Sequence, residues 1–228
     1  MRIVPRLHSV LAFGLLMAAA PPALAQRNTG LEAKLWTIPG LVKALDARPG
    51  SRLAEVGAGD GFFSEQLAQA VLPGGRVTAE DISERSLERL RQRIQRNALT
   101  NIDVLEGKLD DPLLDPGAFD GVLIRNAYHE MKDYASILRG IHAALKPGGR
   151  LVIVEPITEK RRELPRDEQT ASHEIAIKIV EQDIAEAGFV VLERNESFDK
   201  SSDAANAEVY WLLVVTKPLP DPTNPRPN

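Results

Sequence analysis

The segment that most constrains this chain is 52–64, which reads Arg-Leu-Ala-Glu-Val-Gly-Ala-Gly-Asp-Gly-Phe-Phe-Ser. A short apolar run containing Glu55 passes into Gly57, Gly59 and Gly61, and apolar residues at helical spacing follow. Glycines let the backbone turn sharply and approach a ligand closely, because they carry no Cβ atom. The first turn of the following helix leaves N–H groups free for that ligand. The pattern predicts a strand–loop–helix site for a nucleoside-like cofactor.

The glycine spacing separates two classes of cofactor. A dinucleotide fold uses G-x-G-x-x-G, whereas the third glycine here comes one residue early and bulky Phe62 follows it. An acid two residues before G-x-G-x-G resembles motif I of the class I S-adenosylmethionine-dependent methyltransferases. The resemblance implies that Glu55 serves the methionine end of the cofactor, directly or through water, and that Gly57, Gly59 and Gly61 line its site. A glycine-rich turn without a ligand is the alternative.

Two adjacent acids, Glu80 and Asp81, end the next short strand in the segment 75–83. An acid in this position can accept hydrogen bonds from both ribose hydroxyls. The family pattern has the form Asp-Ile-Ser, which favours Asp81 for the ribose and leaves Glu80 as the alternative. Without a ligand, Glu80 would be a solvated strand-end carboxylate. Asp81 would then be a helix N-cap, although Ser83 fits that role better.

The segment after the third strand departs from the family pattern. The family often has Gly-Asp-Ala there, with the acid meeting the adenine amino group, but this chain reads Gly-Lys-Leu-Asp-Asp-Pro from Gly107. Lys108 therefore replaces the usual acid. Asp110 or Asp111 is expected to substitute for it, and the backbone at Leu109 to reach the ring. The alternative is that both acids are ordinary loop residues.

Two further segments, 119–130 and 145–156, resemble the family elements FDxVxxxxxxHH/HE and LKPGGxLxIxEP. Strand and helix patterns alternate after residue 50, which predicts a parallel sheet covered by helices on both faces. The resemblance spans about residues 31–217. It implies an α/β fold: a single doubly wound Rossmann-like domain whose seven-stranded sheet is mostly parallel, with an antiparallel last strand.

Periodicity places the remaining elements. Helices are predicted over 31–46 with an interruption at Pro39-Gly40, from near Asp133, and over 172–187. Strands are predicted over 189–195 and 209–216, and the resemblance pairs them antiparallel at the sheet edge. The charged, loop-like segment 158–169 is predicted to be a lid.

Residues just beyond the fourth strand are the candidates for chemistry, because ligands of open parallel sheets lie beyond the carboxyl ends of the strands. His129 is the candidate general base, since an imidazole titrates near neutral pH; a structural histidine is the alternative. Tyr128 is the second catalytic candidate, more suited to shaping the pocket than to moving protons. Arg125 is assigned to the cofactor site, and Asn126 is expected to be buried and to bond the backbone.

Two side chains farther along the chain are open to more than one interpretation. Glu155 either orients a substrate hydroxyl or only ends its strand. His173 either faces the substrate, or it caps a helix or is simply exposed to solvent. Hard metals need several clustered oxygen ligands, and no Asp pair with an Asn follows strands four and five convincingly. No metal site is therefore predicted.

The resemblance implies metal-independent transfer of a methyl group from S-adenosylmethionine to a small-molecule acceptor by in-line displacement. The alternative is an exported binding module that keeps the cofactor pocket without catalysis. The replacement at Lys108 and the export signal described below favour that alternative.

Charge argues against nucleic acid as the partner. The net charge is -4 and the pI is about 5.7, whereas phosphate binding needs a basic face. Five arginines do lie along one predicted helix, but its apolar residues recur at helical spacing and leave the arginines beside acids on a solvated face. These arginines are Arg85, Arg89, Arg91, Arg93 and Arg96.

The first 25 residues have the pattern of a secretory signal peptide. Arg2 and Arg6 precede an apolar run, and Ala23-Leu-Ala25 supplies small residues for cleavage before Gln26. We expect an exported, periplasmic protein without stable membrane insertion after cleavage. The absence of cysteine excludes a lipid anchor on cysteine and any disulfide. The predicted organisation is a signal peptide over 1–25, a helical segment over 26–50, the main domain over 51–217 and a proline-rich tail over 218–228.

Overall fold

The computed structural model describes residues 37–200 and 209–220. The predicted signal peptide and residues 221–228 of the predicted tail lie outside the described residues. Seven strands form one sheet in the order β3-β2-β1-β4-β5-β7-β6. Their bounds are β1 Arg52–Val56, β2 Arg76–Asp81, β3 Ile102–Glu106, β4 Phe119–Arg125, β5 Leu145–Ile157, β6 Val190–Lys200 and β7 Val209–Thr216.

Strand directions confirm the predicted fold class. The pairs β1–β2, β1–β4, β2–β3 and β4–β5 are parallel, whereas β7 runs antiparallel to both β5 and β6. The chain moves outward from β1 to β3 and then returns to the other side of β1 with β4. This reversal opens a crevice beyond the carboxyl ends of β1 and β4, where doubly wound sheets bind ligands.

Helices cover both faces of the sheet, as predicted. Residues 37–44 form the described part of α1. The other helices are α2 Phe62–Ala70, α3 Glu84–Arg96, α4 Tyr134–Ala144, α5 Arg166–Thr170 and α6 Ile177–Glu186. No helix among the described residues combines the length and the apolar character that crossing a membrane requires.

Two apolar clusters lie on opposite faces, because successive strand residues point to opposite sides of a sheet. Ala54 and Val56 of β1 join the cluster that contains α4 and α6, whereas Leu53 joins the cluster that contains α1 and α2. Burial on both faces explains the almost continuous apolar sequences of the central strands.

Two predictions about helices were wrong, the first of them the start of the last helix. The structure has no helix from Ser172: α6 begins at Ile177, after a stretch of turns. His173 has a left-handed backbone (φ 57°), and the buried Glu174 carboxylate accepts hydrogen bonds from the N–H and hydroxyl of Thr158, each at 2.8 Å. These constraints hold the residues before α6 out of helical conformation.

The interruption predicted at Pro39-Gly40 was also wrong, since residues 37–44 are helical without a break. A Cβ atom on Gly40 would lie 2.7 Å from Cε2 of Phe198. The glycine therefore lets α1 approach β6 closely, which is a packing role and not a helix stop.

The predicted lid, segment 158–169, is ordered by its own polar side chains. It contains a 3-10 turn at Glu159–Arg161 and the start of α5. The buried side chain of Gln169 donates to the carbonyl of Leu164 at 2.7 Å and accepts from the N–H of Ala176 at 2.6 Å. The segment is thus tied to the chain on either side of it.

Candidate active site

The three glycines of the loop after β1 all have left-handed backbones, with φ values of 77°, 60° and 77° at Gly57, Gly59 and Gly61. A Cβ on Gly57 would lie 2.5 Å from Cβ of Ala127, and one on Gly61 would collide with Leu90. Nothing lies within 4 Å of a Cβ built on Gly59. Two glycines therefore allow close packing, and Gly59 faces open space that a ligand can fill.

Arg93 of α3 holds the loop in place. Its guanidinium donates to the backbone carbonyl of Asp60 at 2.7 Å, to the Asp60 carboxylate at 2.8 Å and to Glu65 at 3.0 Å. From sequence, Arg93 was predicted to lie on a solvated face, and this role was not predicted. Arg93 follows buried Leu90 by three residues, and that i,i+3 spacing was the available signal.

The two acids at the end of β2 both bind the glycine loop. Asp81 Oδ2 accepts from the N–H of Gly59 at 2.8 Å, and its other oxygen accepts from the N–H of Ser83 at 2.8 Å. Glu80 accepts from the N–H of Gly57 at 3.3 Å and packs against Gly107. Asp81 therefore borders the open space at Gly59, whereas Glu80 faces β3. Burial, together with the charge of Asp81, raises the pKa of Glu80 to about 8.

Glu55 is buried beneath the loop, where it accepts a hydrogen bond from the hydroxyl of Ser64. Burial raises the pKa of Glu55 to about 8, although the Ser64 hydrogen bond and the charge of Arg125 act in the opposite direction. The carboxyl is thus largely protonated at neutral pH in the ligand-free protein.

Arg125, the last residue of β4, carries its guanidinium between two aromatic rings, 4.3 Å from the ring centre of Phe63 and 5.0 Å from that of Tyr210. Burial lowers its pKa, against the charges of neighbouring groups that include Glu55 and Glu155. Within residues 37–200 and 209–220, its buried Nε has no hydrogen-bond partner. A cation held in this way is suited to a ligand carboxylate.

The segment after β3 is exposed. Lys108, Leu109, Asp110 and Asp111 all lie at the surface, and Leu109 is 69% exposed. Ile82, which follows β2, is 50% exposed. Two large apolar side chains are thus uncovered beyond the carboxyl ends of the neighbouring strands β2 and β3.

His129, just beyond β4, and Glu155, near the carboxyl end of β5, form a buried pair. His129 Nδ1 lies 2.6 Å from one carboxylate oxygen of Glu155, and the other oxygen accepts from the N–H groups of Ala127 and Tyr128, each at 2.7 Å. Burial lowers the pKa of His129, but the hydrogen bond and charge of Glu155, with the charge of Glu130, outweigh burial and raise it. The prediction that Glu155 only ends its strand was wrong, because β5 continues to Ile157. Its carboxylate orients the imidazole of His129.

The pairing was not predicted from sequence, although a signal was present. Glu155 lies near the carboxyl end of β5, and His129 lies just beyond β4, its parallel neighbour. Because the carboxyl ends of parallel strands meet at one edge of a sheet, the two residues were candidates for contact.

Tyr128 lies in the protein interior with its hydroxyl engaged. It donates to Asp183 at 2.8 Å, and burial, with the charge and hydrogen bond of Asp183, raises its pKa. Arg166 also binds Asp183 and stacks over Tyr134, 4.1 Å from the ring centre. This arrangement supports the pocket-shaping role for Tyr128.

Tyr128 and His129 border a cavity of about 630 Å³. The remaining lining combines apolar and charged side chains from the turn after β4, from the start of α4 and from α5 with its flanks: Glu130, Met131, Lys132, Tyr134, Arg166, Asp167, Thr170 and Ala171. The predicted lid therefore contributes one wall of a cavity beside the imidazole.

Two further predictions are resolved by position. Asn126 is exposed and left-handed (φ 54°), so its predicted burial was wrong; its N–H does donate to the carbonyl of Val154 at 2.8 Å. His173 is exposed, and its ring meets that of His129 edge to face, with centres 5.5 Å apart. His173 therefore does not cap a helix; its exposure to solvent, one of the alternatives, is confirmed, and its ring lies beside His129 at the rim of the cavity.

Comparison with known proteins supports the motif analysis. Residues 47–213 match a family model described as a methyltransferase domain. A demethylmenaquinone methyltransferase of Lactococcus lactis is 32% identical over 114 residues, which are 50% of this chain and 45% of the relative. The chain thus spans less than half the length of this curated relative.

Two solved structures share the fold. A SAM-dependent methyltransferase from Aquifex aeolicus matches with a TM-score of 0.65 and 20% identity, covering 78% of this chain and 88% of its own. A phosphoethanolamine N-methyltransferase of Haemonchus contortus in complex with S-adenosyl-L-methionine matches with a TM-score of 0.63 and 17% identity, covering 81% and 52%.

The open space at Gly59 leads to a mutational prediction. We expect Gly59→Ala to weaken S-adenosylmethionine binding at least ~10-fold, about 1.4 kcal/mol, because the new methyl group enters the ligand's space. Gly117→Ala is the matched control: it has a similar φ of 63° with nothing within 4 Å of its Cβ, and it precedes β4 at the opposite edge. Both variants carry the same backbone strain. If calorimetry gave equal S-adenosylmethionine affinities for the two variants, the glycine loop would not belong to the binding site.

The buried carboxyl of Glu55 leads to a second prediction, for the ligand-free protein. Its folded-state pKa of about 8 lies above its ordinary value of 4.5, so its contribution to stability is complete below pH 4.5 and is lost as pH rises towards 8. The Glu55→Gln variant should lose stability less steeply in this window, by up to about 1.4 kcal/mol per pH unit. Urea unfolding at several pH values measures the slopes, with exposed Glu88→Gln as control. Parallel profiles for all three proteins would contradict the assignment.

Proposed function

Because this chain belongs to the methyltransferase-domain family, we propose that it transfers a methyl group from S-adenosylmethionine, the cofactor of the class I enzymes that share its fold, to a small-molecule acceptor. The observation that carries the proposal is the meeting of two loops at one sheet edge. The glycine loop, with its open space at Gly59, packs against Ala127, two residues before His129. Cofactor loop and candidate base are thereby neighbours.

The groups around Gly59 fit the polar parts of the cofactor. Asp81 borders the open space and keeps lone pairs for ribose hydroxyls. Near β1, Glu55 offers a carboxylate to the ammonium of the methionine end, and Arg125 offers the positive charge of its guanidinium to the carboxylate. An ammonium beside Glu55 would favour its ionised form, because an opposite charge offsets the effect of burial.

The exposed apolar side chains fit the adenine. Ile82 and Leu109 extend beyond neighbouring strands and supply apolar surface for the two faces of a purine. Lys108, where the family often has an acid, is exposed and carries only donors, so Asp110 or the backbone at Leu109 is assigned to the ring edge. The departure at Lys108 therefore changes one polar contact and leaves the apolar ones.

The proposed chemistry depends on His129. S-adenosylmethionine supplies a methyl group already activated on a sulfonium, so the protein has to align the acceptor and remove its proton. Glu155 accepts the Nδ1 proton of His129, which leaves the Nε2 lone pair to take the acceptor proton. The carboxylate then stabilises the imidazolium that forms. A base of this kind needs no metal ion, and we propose metal-independent transfer.

The cavity beside His129 suits a small apolar or phenolic acceptor. Tyr128, Met131 and Tyr134 supply apolar and aromatic surface, and Arg166 places a cation over the ring of Tyr134. The name of the Lactococcus relative specifies demethylmenaquinone, an acceptor of this broad chemical class.

A two-stage experiment tests the proposal. Calorimetry of the protein with S-adenosylmethionine and S-adenosylhomocysteine measures binding, and incubation with methyl-labelled donor and a panel of phenolic and quinol compounds measures transfer. We expect binding followed by labelled product. Binding without transfer to any compound would favour the alternative, a binding module, and folded protein that binds neither ligand would refute both.

The role of His129 gives a separate prediction. We expect His129→Gln to lower kcat by about 10²–10⁴-fold, the usual contribution of a general base, while cofactor affinity stays within ~3-fold. Glu155→Gln should also lower kcat, because an amide facing Nδ1 as a donor places the imidazole proton on Nε2. Tyr128→Phe serves as control: it removes only the hydrogen bond to Asp183 and should retain most of kcat. An unchanged kcat in His129→Gln would exclude His129 as the general base.

We propose further that the chain is exported. Arg2 and Arg6 before an apolar run, with small residues ahead of Gln26, are the supporting pattern. An exported enzyme needs S-adenosylmethionine in the compartment that receives it. Fractionation of cells that express the full chain, with mass spectrometry of its amino terminus, should find mature protein beginning at Gln26 in the periplasm. Retention of the full-length chain in the cytoplasm would contradict export.

A further inference from the structure

Three metal-ligating side chains meet at the rim of the cavity. Among the described residues, His129, Glu130 and His173 form a group whose ligand atoms all lie within 4.8 Å of one another. Oε1 of Glu130 lies 3.7 Å from Nε2 of His129 and 3.5 Å from Nδ1 of His173. The loop after α5 brings His173 to residues that it follows by more than 40 positions in the chain.

These separations are close to those of a zinc site. Zinc binds histidine nitrogen at about 2.0–2.1 Å and carboxylate oxygen at about 2.0–2.2 Å, so tetrahedral ligand atoms lie about 3.3–3.5 Å apart. The two distances to Glu130 already approach this value. The side chains of Glu130 and His173 are 67% and 75% exposed, so small rotations in solvent can close the third separation.

The environment of His129 matches that of a metal-bound histidine. Such a histidine usually donates its other ring N–H to a carboxylate, which fixes the tautomer and raises the basicity of the ligating nitrogen. In this protein the carboxylate facing Nδ1 of His129 is Glu155, and two backbone N–H groups donate to Glu155 in turn. Nε2, the atom nearest Glu130, is consequently the nitrogen with a lone pair.

The backbone holds His173 in position. Its left-handed φ of 57° is unusual for a non-glycine residue. The backbone N–H of the next residue, Glu174, donates to the backbone carbonyl of Gln169 at 3.1 Å. Glu174 is fixed in turn to Thr158. The imidazole is therefore presented by a constrained turn, although its ring lies in solvent.

We propose that His129, Glu130 and His173 form a binding site for a divalent transition-metal ion of the Zn²⁺ type. Two imidazoles and one carboxylate suit Zn²⁺ and the neighbouring first-row ions and select against Mg²⁺ and Ca²⁺, which prefer oxygen ligands. Three protein ligands leave a fourth position open to water or to a small ligand.

The site has a consequence that rests on the proposed function. A metal ion on Nε2 of His129 takes the lone pair that the acceptor proton needs. Metal binding and general-base catalysis then exclude each other, and Zn²⁺ inhibits an enzyme that does not require it.

Direct metal binding tests the site without any assay of activity. Calorimetric titration of chelator-treated protein with Zn²⁺ should give one site with a dissociation constant in the micromolar range or below. His173→Asn should weaken binding at least ~10-fold, and asparagine tolerates the left-handed backbone. Glu130→Gln should do the same. The control is His142→Asn, since His142 lies on α4 against Phe189, outside the three-residue group.

The outcomes separate this proposal from the proposed function. One Zn²⁺ site that is weakened in His173→Asn and Glu130→Gln but not in His142→Asn supports the metal site, even if no acceptor is ever methylated. No stoichiometric binding, or binding unchanged in His173→Asn, overturns it, even if transfer proceeds. Where transfer is measured, His173→Asn should keep the basal rate and lose at least ~10-fold of its sensitivity to Zn²⁺; equal sensitivity in both proteins would overturn the inhibitory role.

Discussion

The carboxylate of Glu155 is the interaction on which the candidate site depends. It is completely buried and is tolerated because three donors surround it: two backbone N–H groups of the turn after β4 and the imidazole of His129. An unpaired charge in this position would cost several kcal/mol. The turn after β4 is therefore held against the end of β5, and the direction of the imidazole follows from that constraint.

The same sheet edge contains two buried carboxyl groups that are costly to ionise. Glu55 and Glu80 are buried near the glycine loop, and burial raises the pKa of each carboxyl to about 8. Water alone does not compensate such groups, but a cationic ligand group beside Glu55 would. Burial of these carboxyls destabilises the ligand-free protein. A ligand that brings the complementary charge relieves this cost, and the relief adds to its affinity. A site that is costly without its ligand is common where binding, and not stability, is selected.

Much of the fold was predictable because its signals are local. The glycines of the loop after β1 and the acids that end β2 lie next to the strands they define. The mostly parallel sheet with an antiparallel last strand followed from the resemblance. The predictions that failed depend on contacts between distant segments. The turns before α6 contain Glu174, which binds Thr158, and the glycine inside α1 is explained by its close approach to Phe198. No window of neighbouring residues contains either pair.

The residues of the candidate site differ in the same way: some are identified by local sequence, whereas their partners come from distant segments. Tyr128 and His129 could be placed beyond β4 from sequence, but their partners come from later segments. These partners are Glu155 in β5, His173 in the turns after α5 and Asp183 in α6. Each partner changes the chemistry of the residue it meets: Asp183 occupies the tyrosine hydroxyl, and Glu155 fixes the imidazole tautomer. His173 adds a second imidazole at the rim. In the proposed metal site, the histidine that sequence identifies as a base is also a metal ligand. The features that make Nε2 a good proton acceptor also make it a good ligand for a metal ion. Which of the two it binds is then a competition between proton and metal for one lone pair.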